Sequence, residues 1–417
     1  MILVGSILTA ISGWLYYFYK GELTPGFFLT FLWGFIYLCQ GIFFNDMYYS
    51  RYGGTMSAVF CIVFIFGELI FGRRVAYLRK SLPISEFARN LPKFESRLRI
   101  VAIIFGVLSI IFSFWYYAYL LQYAPYKSGN YQNYLLTGVR ELIFLKKIQV
   151  PYHIRLAVIF AYPGVILACI YGIIYGFRWF LVLPLAGVAI FGFSQAGRAG
   201  LLMVLSQIYI SIYLRLFLSY KTNVFLKFLW LSLLFAFVSG GLFLFGFMLR
   251  DGGGWHWIDY LNILKLVRPY LFGGVSAFSY YMDFWTHDLV LSYGRYTFSS
   301  LFQAIGIYTQ KTGIYDQYAP ISNFSEKTNI YTAYRSLIDD FGMPGAALFC
   351  FFVGLSSGYM SFGLRKGKIA YIGPLVALYS WVIFSPMVSL TYFNSFIASI
   401  VLPFLFVVVL TGDNFNK

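Results

Sequence analysis

The sequence has few charged residues and few of the side chains that hold metals. Only 11% of its 417 residues are Asp, Glu, Lys or Arg, whereas about a quarter are charged in soluble proteins. It has three histidines and four cysteines, and no cysteine lies in a CxxC or Cys/His spacing that binds metal. The low charge excludes an ordinary soluble chain, and the cysteines, which lie in apolar stretches, are expected to be small core residues.

Several catalytic and nucleotide-binding motifs are also missing. The sequence contains no GxxxxGK[ST] loop, no HExxH and no Asp-x-Asp. ATP-driven transport and metal-dependent chemistry therefore lose support. We expect neither a cofactor nor a bound metal.

Long apolar runs dominate the chain, in which 60% of the residues are hydrophobic. A helix needs roughly 20 apolar residues to cross a bilayer core of about 30 Å. We therefore predict an all-α fold, a polytopic transmembrane helical bundle of about eleven spans. These lie near 2–19, 26–44, 54–72, 100–121, 155–176, 179–196, 199–216, 226–248, 341–363, 369–388 and 392–411.

The charge is strongly basic and unevenly distributed. Thirty-one Lys and Arg face fifteen Asp and Glu, a net charge of +16, which favours anionic lipid and phosphate-bearing ligands over any nucleic-acid partner. Residues 73–99 hold eight basic side chains against Glu86 and Glu95, so the positive-inside rule predicts that they are cytoplasmic. No basic residue precedes the first span, and a cleavable signal is therefore not expected.

This topology divides the chain into three consecutive parts. Residues 1–249 carry spans one to eight, residues 250–340 form one large external loop, and residues 341–417 carry spans nine to eleven. A connection of about ninety residues is uncommon and usually functional. Its many aromatic residues predict a folded segment on the membrane surface.

Four arginines adjoin glycine-rich backbone on the predicted outer side. Glycine lets a ligand approach the backbone, and a guanidinium can bind a phosphate with two hydrogen bonds. We expect these arginines to bind a diphosphate. The alternatives are an arginine that reaches to the membrane interface at a span end, for the first of them, and surface ion pairs for the others. The four are Arg198, Arg250, Arg268 and Arg295.

Three outer residues are candidates for a general base. Asp283 and His287 are four positions apart and would share a helix face, so that the carboxylate could orient the imidazole. Asp340 follows Asp339 at the start of the ninth span. The alternatives are a helix-surface ion pair for the first two, and helix capping or pairing with Arg335 for the aspartates.

Local patterns and architecture together resemble the Wzy-type polymerases of bacterial O-antigen or oligosaccharide repeat units. The family has many spans, arginine-rich external loops, and an Arg followed eleven positions later by Gly. Arg295 and Gly306 match that spacing, whereas Tyr209 stands at this distance from Arg198. The local patterns lie in residues 197–200, 270–278, 328–332 and 340–345.

The resemblance implies a metal-independent glycosyltransferase of the GT-C type in the bacterial inner membrane. It would join undecaprenyl diphosphate-linked repeat units on the outer face, for O-antigen or capsular-type polysaccharide. Its implied partners are these lipid-linked glycans, membrane lipid, a chain-length regulator and a flippase. The arginines would stabilise the leaving diphosphate, and Asp283, His287 or Asp340 would take a proton from the acceptor hydroxyl.

Three other functions stay open. A flippase or other transporter would have a similar size and charge, but it usually carries ionisable residues in mid-span and internal repeats, which are not visible here. An O-antigen ligase shares the implied fold and donor. A scaffold of an envelope complex would leave the external arginines unexplained.

Overall fold

The computed structural model describes residues 1–77, 92–122, 151, 153–154, 156–194, 198–218, 224–251, 268–286, 290–307, 315–322 and 326–411. About 81% of these residues are helical, which confirms the all-α class. Seven of the helices are long and apolar enough to cross a membrane, and four apolar helices are shorter. The chain is thus compatible with a multi-pass membrane protein, and the count of eleven spans stays a prediction.

Thirteen α-helices and one two-stranded sheet can be delimited in these residues. The helices are α1 (Ile2–Phe18), α2 (Pro25–Phe43), α3 (Arg51–Tyr77), α4 (Pro92–Leu121), α5 (Leu156–Tyr175), α6 (Val182–Ser194), α7 (Arg198–Leu218), α8 (Val224–Asp251), α9 (Gly273–Phe284), α10 (Ser299–Ala304), α11 (Ala333–Arg365), α12 (Ile372–Phe384) and α13 (Asn394–Thr411). The strands β1 (Ala319–Pro320) and β2 (Lys327–Thr328) pair antiparallel. Short 3-10 turns lie at Trp179–Leu181, Ile369–Tyr371 and Leu390–Tyr392.

The chain forms two compact units, each built from segments that are distant in sequence. Unit 1 comprises Met1–Ser81, Leu264–Lys366 and Leu378–Asn394. Unit 2 comprises Leu82–Ile263, Gly367–Ala377 and Ser395–Lys417.

Close packing of α3 against α11 forms the centre of unit 1. An added Cβ at Gly354 would overlap the carbonyl oxygen of Phe64, and one at Gly67 would overlap that of Phe351. Small residues at such positions let two helix backbones approach, which is how helices commonly pack in membranes. The glycines therefore determine how closely α3 and α11 can pack.

Polar contacts occur at both ends of unit 1. At one end, Arg365 forms an ion pair with Glu22, and the Tyr379 hydroxyl donates to the Leu23 carbonyl at 2.7 Å. At the other, Arg268 forms an ion pair with Asp46. The turn after α1 and the C-terminus of α11 therefore lie at the same end of unit 1. The turn after α2 and the residues just before α9 lie together at the other end. The charge-based topology requires this grouping, and the side of the membrane stays a prediction.

A break in α11 separates two helical parts. Gly342 has φ 67° and ψ 177°, a left-handed φ that favours glycine, and Pro344 follows it. The 23 residues after the break rise by about 34 Å, enough to cross the bilayer core. The predicted start of span nine at residue 341 coincides with this break, while the helix itself begins earlier, at Ala333. The first part of α11 carries Arg335, Asp339 and Asp340.

Unit 2 is built around α5, which packs against α4, α6 and α7, while α8 packs on α7. The Arg215 guanidinium donates to the carbonyls of Gly172 and Ile173 at 2.7 and 2.9 Å. These carbonyls are in the last turn of α5, where a cation suits the helix dipole. Arg215 therefore caps α5 and connects it to α7.

Candidate functional site

An arginine surrounded by aromatic rings lies in the first turn of α11. The Arg335 side chain is only 4% exposed. Its guanidinium carbon lies 3.9 Å from the ring centroids of both Tyr315 and Tyr331, and the rings of Tyr281 and Trp285 are 4.8 and 5.1 Å away. Aromatic faces attract cations through the ring quadrupole. The four rings therefore surround the guanidinium and favour its positive charge.

Polar groups contact two of the three guanidinium nitrogens. Nε donates to Oδ2 of Asp339 at 3.3 Å, and Nη2 donates to the amide oxygen of Gln317. Nη1 is buried and has no hydrogen-bond partner within the described residues. We name this group, with its four rings, the Arg335 cluster: Tyr281, Trp285, Tyr315, Gln317, Tyr331, Arg335 and Asp339. Its Nη1 can still donate hydrogen bonds, for which phosphate and sugar oxygens are suitable acceptors.

The phenols of the cluster are neutral donors at physiological pH. Burial raises the pKa of Tyr331 to about 12. Burial, followed by the nearby Asp339 carboxylate, raises the pKa of Tyr281 and Tyr315 above the usual range. The Tyr281 hydroxyl accordingly donates to Oδ1 of Asp339 at 2.6 Å.

Local structure explains how these residues meet. Tyr281 and Trp285 are four positions apart, so α9 and its C-cap present both rings on one face. The antiparallel β1–β2 pair brings the residues before β1 beside those after β2, and the Tyr331 hydroxyl donates to the Gln317 carbonyl at 3.1 Å. Arg335 then follows within the first turn of α11.

Asp340, a predicted general base, is bound to backbone amides. It is fully buried. Its carboxylate accepts from the amide of Tyr296 at 3.0 and 3.1 Å and from that of Thr297 at 2.5 Å. The carbonyls of Asp339 and Asp340 also accept from Ser292 and Tyr293. This geometry makes Asp340 an anchor for the turn at residues 292–297.

Asp283, another predicted base, lies on the other face of α9 from the Arg335 cluster. Its carboxylate accepts from the Tyr48 hydroxyl at 2.7 Å and from the Ser50 hydroxyl at 2.5 Å. The structure does not bring Asp283 together with Arg335. His287 lies outside the described residues, and its pairing with Asp283 stays a prediction.

The four predicted diphosphate-binding arginines are divided between the two units, and the two in unit 1 have different surroundings. Arg268 contacts two carboxylates, pairing with Asp46 and lying 3.6 Å from Glu326. Arg295 is exposed on the turn that Asp340 anchors. The neighbouring Tyr296 ring stacks on Tyr315 of the Arg335 cluster at 5.1 Å.

Arg198 and Arg250 belong to unit 2, at the start of α7 and the end of α8. Their side chains lie outside what the structure describes, so their predicted role remains open. Arg268 and Arg295 both belong to unit 1, and Arg295 is the one whose neighbour contacts the Arg335 cluster.

Arg335 itself was not among the predicted site residues. Its predicted role was only that of an ion-pair partner of Asp339 or Asp340, and the pair with Asp339 confirms that alternative. Two spacings contained the signal: Arg335 with Asp339, and Tyr281 with Trp285, each four apart. In the described part of the chain, no group of three or more His, Cys, Asp or Glu side chains comes together.

Comparison with known proteins adds no relative from which a function could be transferred. The chain matches no protein-family model, no curated protein and no solved structure.

Proposed function

We propose that the chain is a membrane glycosyltransferase that polymerises lipid diphosphate-linked oligosaccharide repeat units, as Wzy-type enzymes do. The observation that carries the proposal is the unpaired, buried Nη1 of Arg335 among four aromatic rings. This donor lies just before the part of α11 that is long enough to cross a membrane. A lipid carrier would present its diphosphate at such a level.

In the proposed reaction, an acceptor hydroxyl oxygen bonds to the anomeric carbon of the growing chain. The bond from that carbon to the diphosphate oxygen breaks, and the lipid diphosphate leaves with the electron pair. Guanidinium donors stabilise the negative charge that develops on the leaving oxygen. We assign this role to Arg335, with Arg295 as a second cation, because the ring of the neighbouring Tyr296 stacks on Tyr315 of the Arg335 cluster.

The hydroxyl proton needs an acceptor. We retain His287 as the proposed base, and we assign Asp340 to anchoring because its carboxylate already accepts amide hydrogen bonds. Asp283 is not assigned a part in the proton transfer, because its carboxylate accepts from the Tyr48 and Ser50 hydroxyls on the other face of α9. Asp339 positions the guanidinium through Nε. The proposal does not use Arg268, which pairs with Asp46, and the predicted roles of Arg198 and Arg250 stay open.

Aromatic side chains beside the donor are suited to sugar rings. Trp285 is half-buried beside Arg335, and Tyr318, which follows Gln317, is exposed. Aromatic faces pack well against the apolar faces of sugars while the polar edges stay hydrated. These two residues are the proposed contacts to the glycan.

One observation favours the rival function of a transporter. Glu68 is buried within the candidate span Arg51–Gly72, and ionisable residues inside membranes are often functional. Its carboxylate, however, accepts from the Gly26 amide at 2.9 Å and the Ser357 hydroxyl at 3.3 Å. It thereby caps the N-terminus of α2, and this structural role accounts for a carboxylate at a buried position in the span.

Deletion of the gene in the bacterium that carries it tests the proposal. A polymerase predicts that the glycan ladder is lost while single repeat units remain attached. Loss of all repeats would favour the ligase or the flippase, and an unchanged surface glycan would reject all three functions.

A further inference from the structure

Residues 290–307, which we call the 290–307 segment, expose apolar side chains and bury polar ones. Val290 and Ile307 are 84% and 69% exposed. Thr297 and Ser299 are 0% exposed. A water-exposed loop would show the opposite arrangement, since hydrophobic side chains prefer the interior. The further exposed apolar residues of the segment are Leu291, Tyr293, Leu301 and Ile305.

The segment lies beside the part of α11 that follows the break. The Phe298 ring is 6.1 Å from that of Phe341 and 6.2 Å from that of Phe349. Phe349 is seven residues beyond Gly342, or about 10 Å along the helix axis. The segment therefore packs at the level where the membrane-crossing part of α11 begins.

Its apolar surface is continuous with an apolar face of α11. Leu348 and Phe352 are more than half exposed and lie next to Phe349 on the helix surface. In a helix of this length and composition, such side chains face lipid.

Hydrogen bonds near both of its ends hold the segment in this position. The amides of Ser292 and Tyr293 donate to the carbonyls of Asp339 and Asp340 at 2.8 and 3.1 Å. Near its other end, the Asn394 side chain donates to the Gln303 side chain at 3.2 Å. The exposed apolar residues are thus presented by an anchored backbone.

We propose that the 290–307 segment inserts into the membrane interface and that the occupant of its apolar face is the acyl region of the bilayer. Continuity with the exposed face of α11 favours lipid over a partner protein. Insertion would place the exposed Arg295, on the turn at 292–297, near the lipid phosphates. The inference concerns where the segment lies, and it does not depend on the proposed reaction.

Spin labelling of the full chain in phospholipid nanodiscs tests this inference. Single cysteines at Ile307 (Ile307→Cys) and Val290 (Val290→Cys) would carry a nitroxide, in a Cys39→Ala background because Cys39 is half-buried. Lys327→Cys is the control, since Lys327 is an exposed charged residue of β2 that lies outside the segment. Collision rates with oxygen, which partitions into lipid, and with a water-soluble nickel chelate would be measured.

We expect the ratio of the oxygen collision rate to the nickel-chelate collision rate to be severalfold higher at both labelled positions than at the control. Equal ratios at all three positions would overturn the proposal, because the segment would then be in water. Protection from both reagents would also overturn it, by indicating a protein contact such as a second copy. Either labelled position suffices if the other variant fails to fold.

Discussion

The Tyr281 hydroxyl donates a 2.6 Å hydrogen bond to the carboxylate oxygen of Asp339 that Arg335 does not contact. Asp339 therefore joins α9 to α11, with a phenol on one oxygen and a guanidinium on the other. Hydrogen bonds to charged groups are stronger than neutral ones. This link holds the plane of the Arg335 guanidinium.

Removal of the phenol hydroxyl should destabilise unit 1. Tyr281→Phe deletes a hydrogen bond to a buried carboxylate, which typically contributes about 1.5–3 kcal/mol. We expect a lower Tm for Tyr281→Phe than for Tyr280→Phe, whose hydroxyl makes no hydrogen bond within the described residues. Thermal unfolding of both variants in detergent measures the difference, and equal Tm values would contradict the link.

Replacement of Arg335 by lysine should separate charge from geometry. Arg335→Lys keeps a cation but loses the planar donor set, so the leaving diphosphate loses a directed hydrogen bond. A charge-assisted contact of about 1.5–3 kcal/mol corresponds to a roughly ten- to hundredfold lower rate of polymerisation. Arg51→Lys, at an exposed site, is the control. Full activity of Arg335→Lys at equal membrane abundance would remove Arg335 from the proposed site.

Substitution of Asp340 should loosen the turn at 292–297. In Asp340→Asn the amide nitrogen cannot accept a hydrogen bond, so one of the contacts to the Tyr296 and Thr297 amides is lost. We expect faster hydrogen exchange at these amides in Asp340→Asn and unchanged exchange in Asp283→Asn. Loss of turnover in Asp340→Asn without faster exchange would instead support Asp340 as the general base.

The sequence predicts the apolar helices well and the Arg335 cluster poorly. The predicted spans at 26–44 and 155–176 agree within about a residue with Pro25–Phe43 and Leu156–Tyr175, because hydropathy over 20 residues reports directly on a local property. The break at Gly342 lies near the predicted start of span nine because the sequence changes there from charged residues, ending at Asp340, to a largely apolar run.

The cluster depends on contacts that no local pattern contains. Tyr281, Tyr315 and Tyr331 meet one guanidinium from three separate segments, through a helix, a short strand pair and a helix start. For Asp340, by contrast, a local pattern suggested a role that the structure does not support. Its position beside a span suggested chemistry, yet its carboxylate binds amides more than forty residues earlier in the chain.

Adding one methyl group at the contact of α3 with α11 should lower the stability of unit 1. In Gly354→Ala the new Cβ would overlap the Phe64 carbonyl oxygen, and neither helix backbone can move away cheaply. Overpacking of this kind costs roughly 1–3 kcal/mol. Gly13→Ala, where an added Cβ meets nothing within 4 Å, should be neutral or stabilising. The Tm values of the two variants compare them, and an equal response would contradict the packing.

High pH should weaken unit 1 through Tyr331. Its pKa is raised to about 12 by burial, so between about pH 10 and 12 the folded state keeps a proton that the unfolded state loses. The contribution of neutral Tyr331 to the free energy of unfolding is fully present below pH 10 and is lost as the pH rises through 12. Tyr331→Phe should make Tm fall less steeply over this range, and an identical slope in both proteins would contradict the shift.

Reconstitution of the purified chain with a lipid diphosphate-linked repeat unit tests the central claim most directly. The account predicts that the wild-type protein produces a ladder of lengthened glycans and releases one lipid diphosphate for each bond formed, and that Arg335→Lys does both much more slowly. Repeat units that remain single, with no lipid diphosphate released by folded wild-type protein, would contradict it.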